Sequence, residues 1–284
     1  MLSRLELKVP LIIASGPGGF GEYAKIDGFP WEYVGAYTLK TVTYNQKYGN
    51  VPPRMYTRDG YMINRIGLEN PGIEKFSSTL ENGEYDHLFE KTKVILSLGG
   101  DDYQEYIEVT KKAKPYLGKF AAVEYNFSCP NVSKGGLSIV TDMTEWQNLL
   151  LEIRKELPDT FLIAKLGIEG GFIENFAEKA AQAGWDGVTV INTIRGLMFN
   201  DNREMLLGGL SGPNLLPIAA RAVYEVRKKL PDIYIVASGG VYREEDAEQL
   251  LKVGADAVSI GSSIFQDEQV IFRIGKHILE YLKK

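Results

Sequence analysis

Residues 161–193 read FLIAKLGIEGGFIENFAEKAAQAGWDGVTVINT, and this stretch decides the fold class. It opens with a short apolar run at 161–166 and closes with a β-branched run at 186–193. Between the two runs, residues 172–183 have the apolar spacing of an amphipathic helix, and Gly184 suits the end of that helix. Strand-length runs that are apolar on both faces are typical of buried parallel strands. The stretch therefore predicts a strand–helix–strand unit whose two strands run parallel.

The same alternation extends from this unit toward both ends of the chain. Eight strand-like runs lie at 11–15, 33–41, 93–98, 121–128, 161–166, 186–193, 233–238 and 256–261. Helical patterns occupy 102–117, 144–157, 172–183, 213–230, 244–253 and 267–283. Eight strands alternating with helices most economically predict an α/β protein with a (β/α)8 TIM barrel, the doubly wound open sheet being the alternative. We expect residues 1–284 to form one such domain.

Residues 42–92 break the regular spacing between the second and third predicted strands. Glycine, proline and asparagine are scattered through this stretch, so it predicts a long loop insertion after strand 2. Excursions of this length on a compact domain are usually functional loops or lids.

Composition and charge exclude several classes of protein. The chain has 32 basic and 37 acidic side chains, a net charge of −5, which argues against binding of nucleic acid. Cys129 is the only cysteine, and His87 and His277 are the only histidines, so neither an iron–sulfur cluster nor a His-rich metal site is expected within the chain. No apolar run approaches the roughly 18 residues of a membrane span, and the N-terminus does not resemble a secretion signal. We therefore expect a cytoplasmic protein without a membrane segment.

Glycines follow the last two predicted strands. Gly239 and Gly240 come directly after the seventh run, and Gly261 and Ser262 come after the eighth. In barrels the carboxyl ends of the strands build the active site, and backbone N–H groups after strands 7 and 8 often hold a phosphate. Glycines also form tight turns without any ligand, but the pairing of the two adjacent strand ends favours a phosphate site.

Lysines and amides lie at other strand ends. Lys40 and Lys165 follow apolar strand residues, so each must find an anionic partner or lose its charge. A phosphorylated cofactor with an electron-rich ring would supply such partners. The amide side chains of Asn64, Asn126, Asn131 and Asn192 suit a planar ligand with carbonyl and N–H groups, although each alone could serve only its local turn.

Cys129 lies just past the fourth run. A lone cysteine is usually a small buried hydrophobe, but at a barrel rim beside amides and lysines it is a candidate base or nucleophile. His87 and His277 lie away from every strand end, and we interpret both as structural. Carboxylates are missing from the strand ends, which disfavours glycosidase-type and divalent-metal chemistry.

The segment 126–131 (NFSCPN) resembles the N-[LIF]-S-C-P-N segment of class 1 dihydroorotate dehydrogenases, flavoenzymes of pyrimidine biosynthesis with an FMN-binding (β/α)8 barrel. The similarity continues, in order and spacing, over nearly the whole chain. The other matching stretches are 14–16 (ASG), 40–41 (KT), 48–54 (YGNVPPR), 64–72 (NRIGLENPG), 165–166 (KL), 191–193 (INT), 209–213 (GLSGP), 238–240 (SGG) and 261–262 (GS).

The resemblance implies roles for individual residues. Cys129 would be the catalytic base that removes the C5 proton of dihydroorotate while hydride passes from C6 to flavin N5. Lys40 would stabilise negative charge at the reduced flavin. The substrate-binding residues implied are Lys40, Asn64, Ile66, Gly67, Leu68, Asn126, Asn131, Asn192 and Thr193. The FMN-binding residues implied are Ala14, Ser15, Lys40, Thr41, Asn126, Lys165, Ile191, Gly212, Gly239, Gly240, Gly261 and Ser262, and no metal is implied.

The resemblance also implies a subclass and a partner. Quinone-using members carry an N-terminal extension and a serine base, whereas this chain begins near its first strand and has Cys129. Residues 19–22, 191–194 and 208–212 resemble the type 1B catalytic subunit more than the fumarate-using type 1A. Type 1B works with a second subunit carrying FAD and an iron–sulfur cluster, passes electrons to NAD⁺, and forms a heterotetramer; a homodimer is the simpler assembly. The sequence leaves the conformation of the 194–207 loop open.

Three other functions compete with this one. A dihydropyrimidine dehydrogenase-like flavoenzyme would share FMN and the cysteine but act on uracil-type rings without a carboxylate. A non-catalytic FMN relay would not need Cys129. A phosphate-binding aldolase or isomerase without flavin would leave residues 126–131 unexplained.

Overall fold

The computed structural model describes residues 5–58, 60–127 and 142–283. Its strands, in chain order, are β1 (Leu11–Ile13), β2 (Ala36–Thr38), β3 (Met55–Arg58), β4 (Tyr61–Asn64), β5 (Lys93–Leu98), β6 (Ala122–Asn126), β7 (Leu162–Leu166), β8 (Gly187–Val190), β9 (Ile194–Phe199), β10 (Met205–Ser211), β11 (Tyr234–Ser238) and β12 (Ala257–Ile260). Its α-helices are α1 (Gly72–Glu81), α2 (Asp86–Phe89), α3 (Tyr103–Ala113), α4 (Met143–Glu156), α5 (Ile173–Gln182), α6 (Leu216–Lys229), α7 (Glu244–Lys252) and α8 (Val270–Tyr281).

Eight of these strands close into a parallel barrel in the order β1-β12-β11-β8-β7-β6-β5-β2. The closure depends on β1, which pairs in parallel with β12 on one side and with β2 on the other. An open sheet would leave two edge strands, and this sheet has none. The predicted (β/α)8 barrel is therefore confirmed, and the doubly wound alternative is wrong.

Alternation along each strand separates the barrel interior from the helix layer. In β7, Ile163 belongs to a core cluster shared with other barrel strands, whereas Leu162, Ala164 and Leu166 belong to the large cluster that includes the helices. Successive strand side chains point to opposite faces, so Lys165 shares the inner face with Ile163. The same period places polar side chains inside the barrel at its carboxyl end.

A second, four-stranded antiparallel sheet has the order β3-β4-β10-β9. Its first hairpin comes from the insertion at residues 42–92. This insertion also contains α1 and α2, so it is not an irregular loop throughout. Its second hairpin comes from the segment after β8, where the sequence left the conformation open. Ile63, Met198 and Leu206 form the core of this sheet.

Two matching motifs tie helices to the strands that follow them. Residues 154–159 (RKELPD) end α4, and residues 227–232 (RKKLPD) end α6. Arg154 donates to the carbonyls of the three residues 157, 158 and 160 and forms an ion pair with Asp186, both side chains being 15% exposed. Arg227 makes the equivalent bonds and pairs with Asp256 at 2.6 Å.

Asp186→Ala is expected to lower the free energy of unfolding by about 3 kcal/mol, because it leaves the Arg154 guanidinium and the Leu162 N–H without the carboxylate that holds both. For a chain of 284 residues that corresponds to a fall in melting temperature of roughly 5 °C. Thermal unfolding followed by circular dichroism measures it. Asp159→Ala, at an exposed carboxylate, is the matched control. Equal melting temperatures for the two variants would contradict the claim that the Asp186 carboxylate stabilises the fold.

In the part of the chain that the structure describes, no helix is long and apolar enough to cross a membrane. Within the same residues, no group of three or more His, Cys, Asp or Glu side chains is arranged to hold a metal ion.

Candidate active site

A cavity of about 290 Å³ opens at the carboxyl ends of the barrel strands. The four-stranded sheet contributes Met55, Met62 and Ser211 to its lining. The cavity brings together nearly all the residues predicted from sequence: Ala14, Ser15, Lys40, Thr41, Asn64, Ile66, Gly67, Leu68, Asn126, Lys165, Ile191, Asn192, Thr193, Gly239, Gly240, Gly261 and Ser262. The predicted catalytic base, Cys129, and the predicted substrate-binding residue Asn131 lie outside the described residues. His87 and His277 do not line the cavity; His277 pairs instead with Glu248.

Gly212 is the one described candidate that does not line this cavity. It borders a neighbouring cavity of about 240 Å³ between the second sheet and the start of α6. A Cβ at Gly212 would lie 2.8 Å from the Tyr61 side chain and 2.9 Å from its Cα, so close chain approach accounts for this glycine. Its role toward a cofactor stays a prediction.

Gly239 and Gly240 turn the chain directly after β11, with φ of 111° and 80°. A Cβ at Gly240 would lie 2.1 Å from the backbone nitrogen of Leu216, so packing against the start of α6 requires glycine there. Among the described residues, neither glycine N–H has a hydrogen-bond acceptor. The turn therefore presents two unused donors beside the cavity.

Gly261 differs from Gly240 in what surrounds it. A Cβ at Gly261 would meet nothing closer than 3.6 Å, from Ala14 and Pro17, which both line the cavity. Steric crowding therefore does not require glycine at this position. The space is available to a ligand instead.

Lys165 is 7% exposed and lines the cavity from β7. Its backbone is held in the barrel, where its carbonyl accepts from Phe127 N at 3.2 Å. Its ammonium has no hydrogen-bond or ion-pair partner within the described ranges. A buried ammonium without a partner is costly, so this side chain is suited to hold an electron-rich or anionic group in the cavity.

Lys40 has a partner that the sequence did not reveal. Its Nζ lies 3.6 Å from Glu69 Oε2, and Arg54 Nη1 donates to the same oxygen at 2.9 Å. Partial desolvation would raise the pKa of Glu69, but the charges of Lys40 and Arg54 outweigh it and lower that pKa. An ionised carboxylate therefore lies at the cavity, although the strand ends themselves carry none. The sequence clue to this carboxylate was Glu69 itself, which lies within the 64–72 stretch that matches the family.

Amide side chains form a linked group on the cavity wall. Asn192 Nδ2 lies 3.5 Å from Asn126 Oδ1, and Asn192 Oδ1 accepts from Thr193 N at 2.9 Å. Asn64 Nδ2 donates to Gly209 O at 3.2 Å, which ties β4 to β10. Asn126 ends β6, which places an amide at the barrel rim. Such a group offers both donors and acceptors to a planar polar ring.

Thr41 and Ser15 are oriented by hydroxyl contacts beneath the cavity. Thr41 Oγ1 lies 2.9 Å from the buried Ser97 Oγ, and Ser15 Oγ donates to Leu39 O at 2.8 Å. Ser97 itself does not line the cavity, so its hydroxyl supports Thr41 rather than a ligand.

Loop 64–70 is shaped by left-handed residues and one buried asparagine. Gly67 and Leu68 have φ of 77° and 53°. Asn70 Oδ1 accepts from the backbone N–H of Thr43 and Gly72, while its Nδ2 donates to Leu68 O at 2.7 Å. The loop that carries Ile66, Gly67 and Leu68 into the cavity is therefore anchored at its base.

Known proteins resemble this chain over nearly its full length. The profile of the family described as dihydroorotate dehydrogenase matches residues 1–282. Proteins named dihydroorotate dehydrogenase B (NAD(+)), catalytic subunit, from Thermotoga petrophila and Thermotoga maritima are each 54% identical over 276 residues, covering 97% of this chain and 98% of theirs. A protein named dihydroorotate dehydrogenase A (fumarate) from Lactobacillus helveticus is 33% identical, covering 99% of this chain and 91% of its own length.

A solved structure has the same fold. It is the Eimeria tenella DHODH in complex with ferulenol, which superposes with a TM-score of 0.79 at 22% identity, over 96% of this chain and 81% of that one. At this identity the likeness supports the fold alone. The sequence matches to the two Thermotoga proteins extend over nearly the full length of this chain and of theirs. The chain therefore belongs to the dihydroorotate dehydrogenase family.

Proposed function

We propose that this protein oxidises (S)-dihydroorotate to orotate in pyrimidine biosynthesis, with FMN as its cofactor. The observation that carries the proposal is the convergence of the predicted residues on one cavity, in a chain 54% identical to two B-type catalytic subunits. The identity to the A-type protein is lower, at 33%, which favours type 1B. We further propose that residues 1–284 act as one FMN-binding barrel domain in the cytoplasm.

The residues present fit FMN on three observations. The Lys165 ammonium has no partner among the described residues, the Gly239 and Gly240 N–H groups have no acceptor there, and Gly261 leaves space beside Ala14. Unused donors of this kind match a phosphate and an electron-rich ring. Lys165 would hold the ring, and the glycine turn would hold the phosphate. Bound FMN would supply the acceptor for the substrate's hydride.

The chain's own residues supply binding and proton transfer. Cys129 would take the C5 proton of the substrate as general base. Asn64, Asn126, Asn131 and Asn192 would bind the pyrimidine ring by hydrogen bonds that match its carbonyl and N–H groups. Lys40, held 3.6 Å from Glu69, would attract the substrate's carboxylate. Closely spaced donors from separate strand ends orient the substrate before the proton leaves.

A second subunit is part of this proposal. The B-type relatives are named catalytic subunits and carry NAD(+) in their names. We propose a partner that carries FAD and an iron–sulfur cluster and delivers electrons to NAD⁺, in a heterotetramer or on a homodimer of this chain. One cysteine cannot hold such a cluster, so the cluster must belong to the partner.

Product formation tests the proposed function. The purified FMN-loaded protein is incubated with dihydroorotate and a dye as electron acceptor, and orotate is measured by its ultraviolet absorbance. We expect orotate with dihydroorotate and no product from dihydrouracil. Product from dihydrouracil but not from dihydroorotate would replace the proposal with a dihydropyrimidine dehydrogenase. Reduction of fumarate by the isolated chain would reassign it to type 1A.

A further inference from the structure

Tyr242 lies where the turn after β11 leads into α7, and sequence analysis did not single it out. Its hydroxyl lies 2.8 Å from Ser262 Oγ, and both residues line the cavity. The backbone is fixed, because Asp246 Oδ2 accepts from the N–H of Tyr242 at 2.9 Å and from that of Arg243 at 2.8 Å. The phenol is therefore held beside the residues that follow the last two barrel strands.

The hydroxyls of Tyr242 and Ser262 have one hydrogen that their mutual hydrogen bond does not use. Two hydroxyls carry two hydrogens, and their mutual bond uses one of them. Within the described residues neither hydroxyl has another hydrogen-bond partner. Burial raises the pKa of Tyr242, so its phenol stays protonated at neutral pH. The spare hydrogen is therefore available to an acceptor in the cavity.

The neighbours indicate which acceptor this is. Gly239 and Gly240, which precede Tyr242, present N–H groups without acceptors among the described residues. Two backbone N–H donors and one hydroxyl donor on the lining of the same cavity suit a ligand group that only accepts hydrogen bonds. An ionised phosphate monoester is such a group, and bonds to it are stronger than bonds between neutral partners.

We infer that Tyr242, bonded to Ser262, donates a hydrogen bond to the phosphate of FMN and makes the site select the phosphorylated flavin over riboflavin. The inference rests on the proposed function, because it assumes that FMN is the cofactor. It adds a binding residue that lies outside the short motifs singled out in the sequence.

The test compares two flavins that differ only in the phosphate. Flavin-free protein is titrated with FMN and, separately, with riboflavin, and each dissociation constant is read from quenching of flavin fluorescence. Tyr242→Phe is expected to weaken FMN binding about tenfold, the loss of one hydrogen bond to a charged group, and to leave riboflavin binding unchanged. Tyr224→Phe, at a residue 47% exposed and outside the cavity, is the matched control and should change neither constant.

A second variant separates the hydroxyl pair from simple packing. Ser262→Ala should weaken FMN binding, and the double variant should lose less than the product of the two single effects because the hydroxyls act as a pair. An unchanged FMN constant in Tyr242→Phe, or an equal loss for FMN and riboflavin, would overturn the inference. If the wild-type protein bound neither flavin, the proposed cofactor itself would be wrong, and the inference would fall with it.

Discussion

Cys129→Ser is expected to slow flavin reduction by dihydroorotate at neutral pH by about 10²- to 10⁴-fold, the usual contribution of a general base. A thiol titrates near pH 8.5 in water, whereas a serine hydroxyl stays protonated at any physiological pH and is a far weaker base at neutrality. Stopped-flow absorbance of the flavin at several pH values measures the rate. The wild-type rate should rise with pH as the thiol ionises, and the variant should remain slow across that range.

The variant must keep its binding functions for this result to be informative. Flavin content and orotate affinity should match those of the wild type, because the Oγ of serine replaces Sγ with little change in shape. A variant that reduces its flavin at the wild-type rate at neutral pH would exclude Cys129 as the base. Another group would then have to take the C5 proton, because dihydroorotate would still be oxidised.

Lys165→Met is expected to slow flavin reduction by about 10²- to 10³-fold and to lower flavin occupancy, because one preorganised charged donor is lost from the reacting centre. The structural reason is that this ammonium is 7% exposed and has no partner within the described residues. Methionine keeps most of the volume and removes the charge. Flavin retained after gel filtration and the rate of flavin reduction are the two readouts.

A stability measurement distinguishes a ligand-binding lysine from a structural one. The flavin-free Lys165→Met protein should melt at the wild-type temperature or above it, since a buried charge with no partner among the described residues has been replaced by an apolar side chain. The exposed Lys155→Met serves as the matched control with no expected effect on flavin or rate. A large fall in the melting temperature of the flavin-free Lys165→Met protein would show that the lysine stabilises the fold itself.

Much of the barrel and its site was predictable because each signal is local. A run such as 161–166 shows its strand character within six residues, and the residue at its carboxyl end is then placed at the active-site rim by the fold alone. Lys165 and Asn126 were found in this way. Five further strand ends, those of the runs 11–15, 33–41, 186–193, 233–238 and 256–261, added candidates without any knowledge of side-chain contacts.

The features that sequence analysis missed depend on pairing between distant segments. The 42–92 excursion and the segment after β8 form one sheet, with Gly209 opposite Asn64, and neither segment indicates the other. Glu69 gains its position through Lys40 and Arg54, and Tyr242 gains its partner Ser262 only when β11 and β12 lie side by side. Such contacts follow from the closed barrel rather than from local periodicity.

The central claim is tested most directly by an anaerobic titration of the purified, flavin-loaded protein with dihydroorotate, followed by the flavin absorbance. We predict that the oxidised flavin band bleaches with dihydroorotate and stays unchanged with dihydrouracil. A yellow protein that dihydroorotate does not bleach would contradict the proposed function.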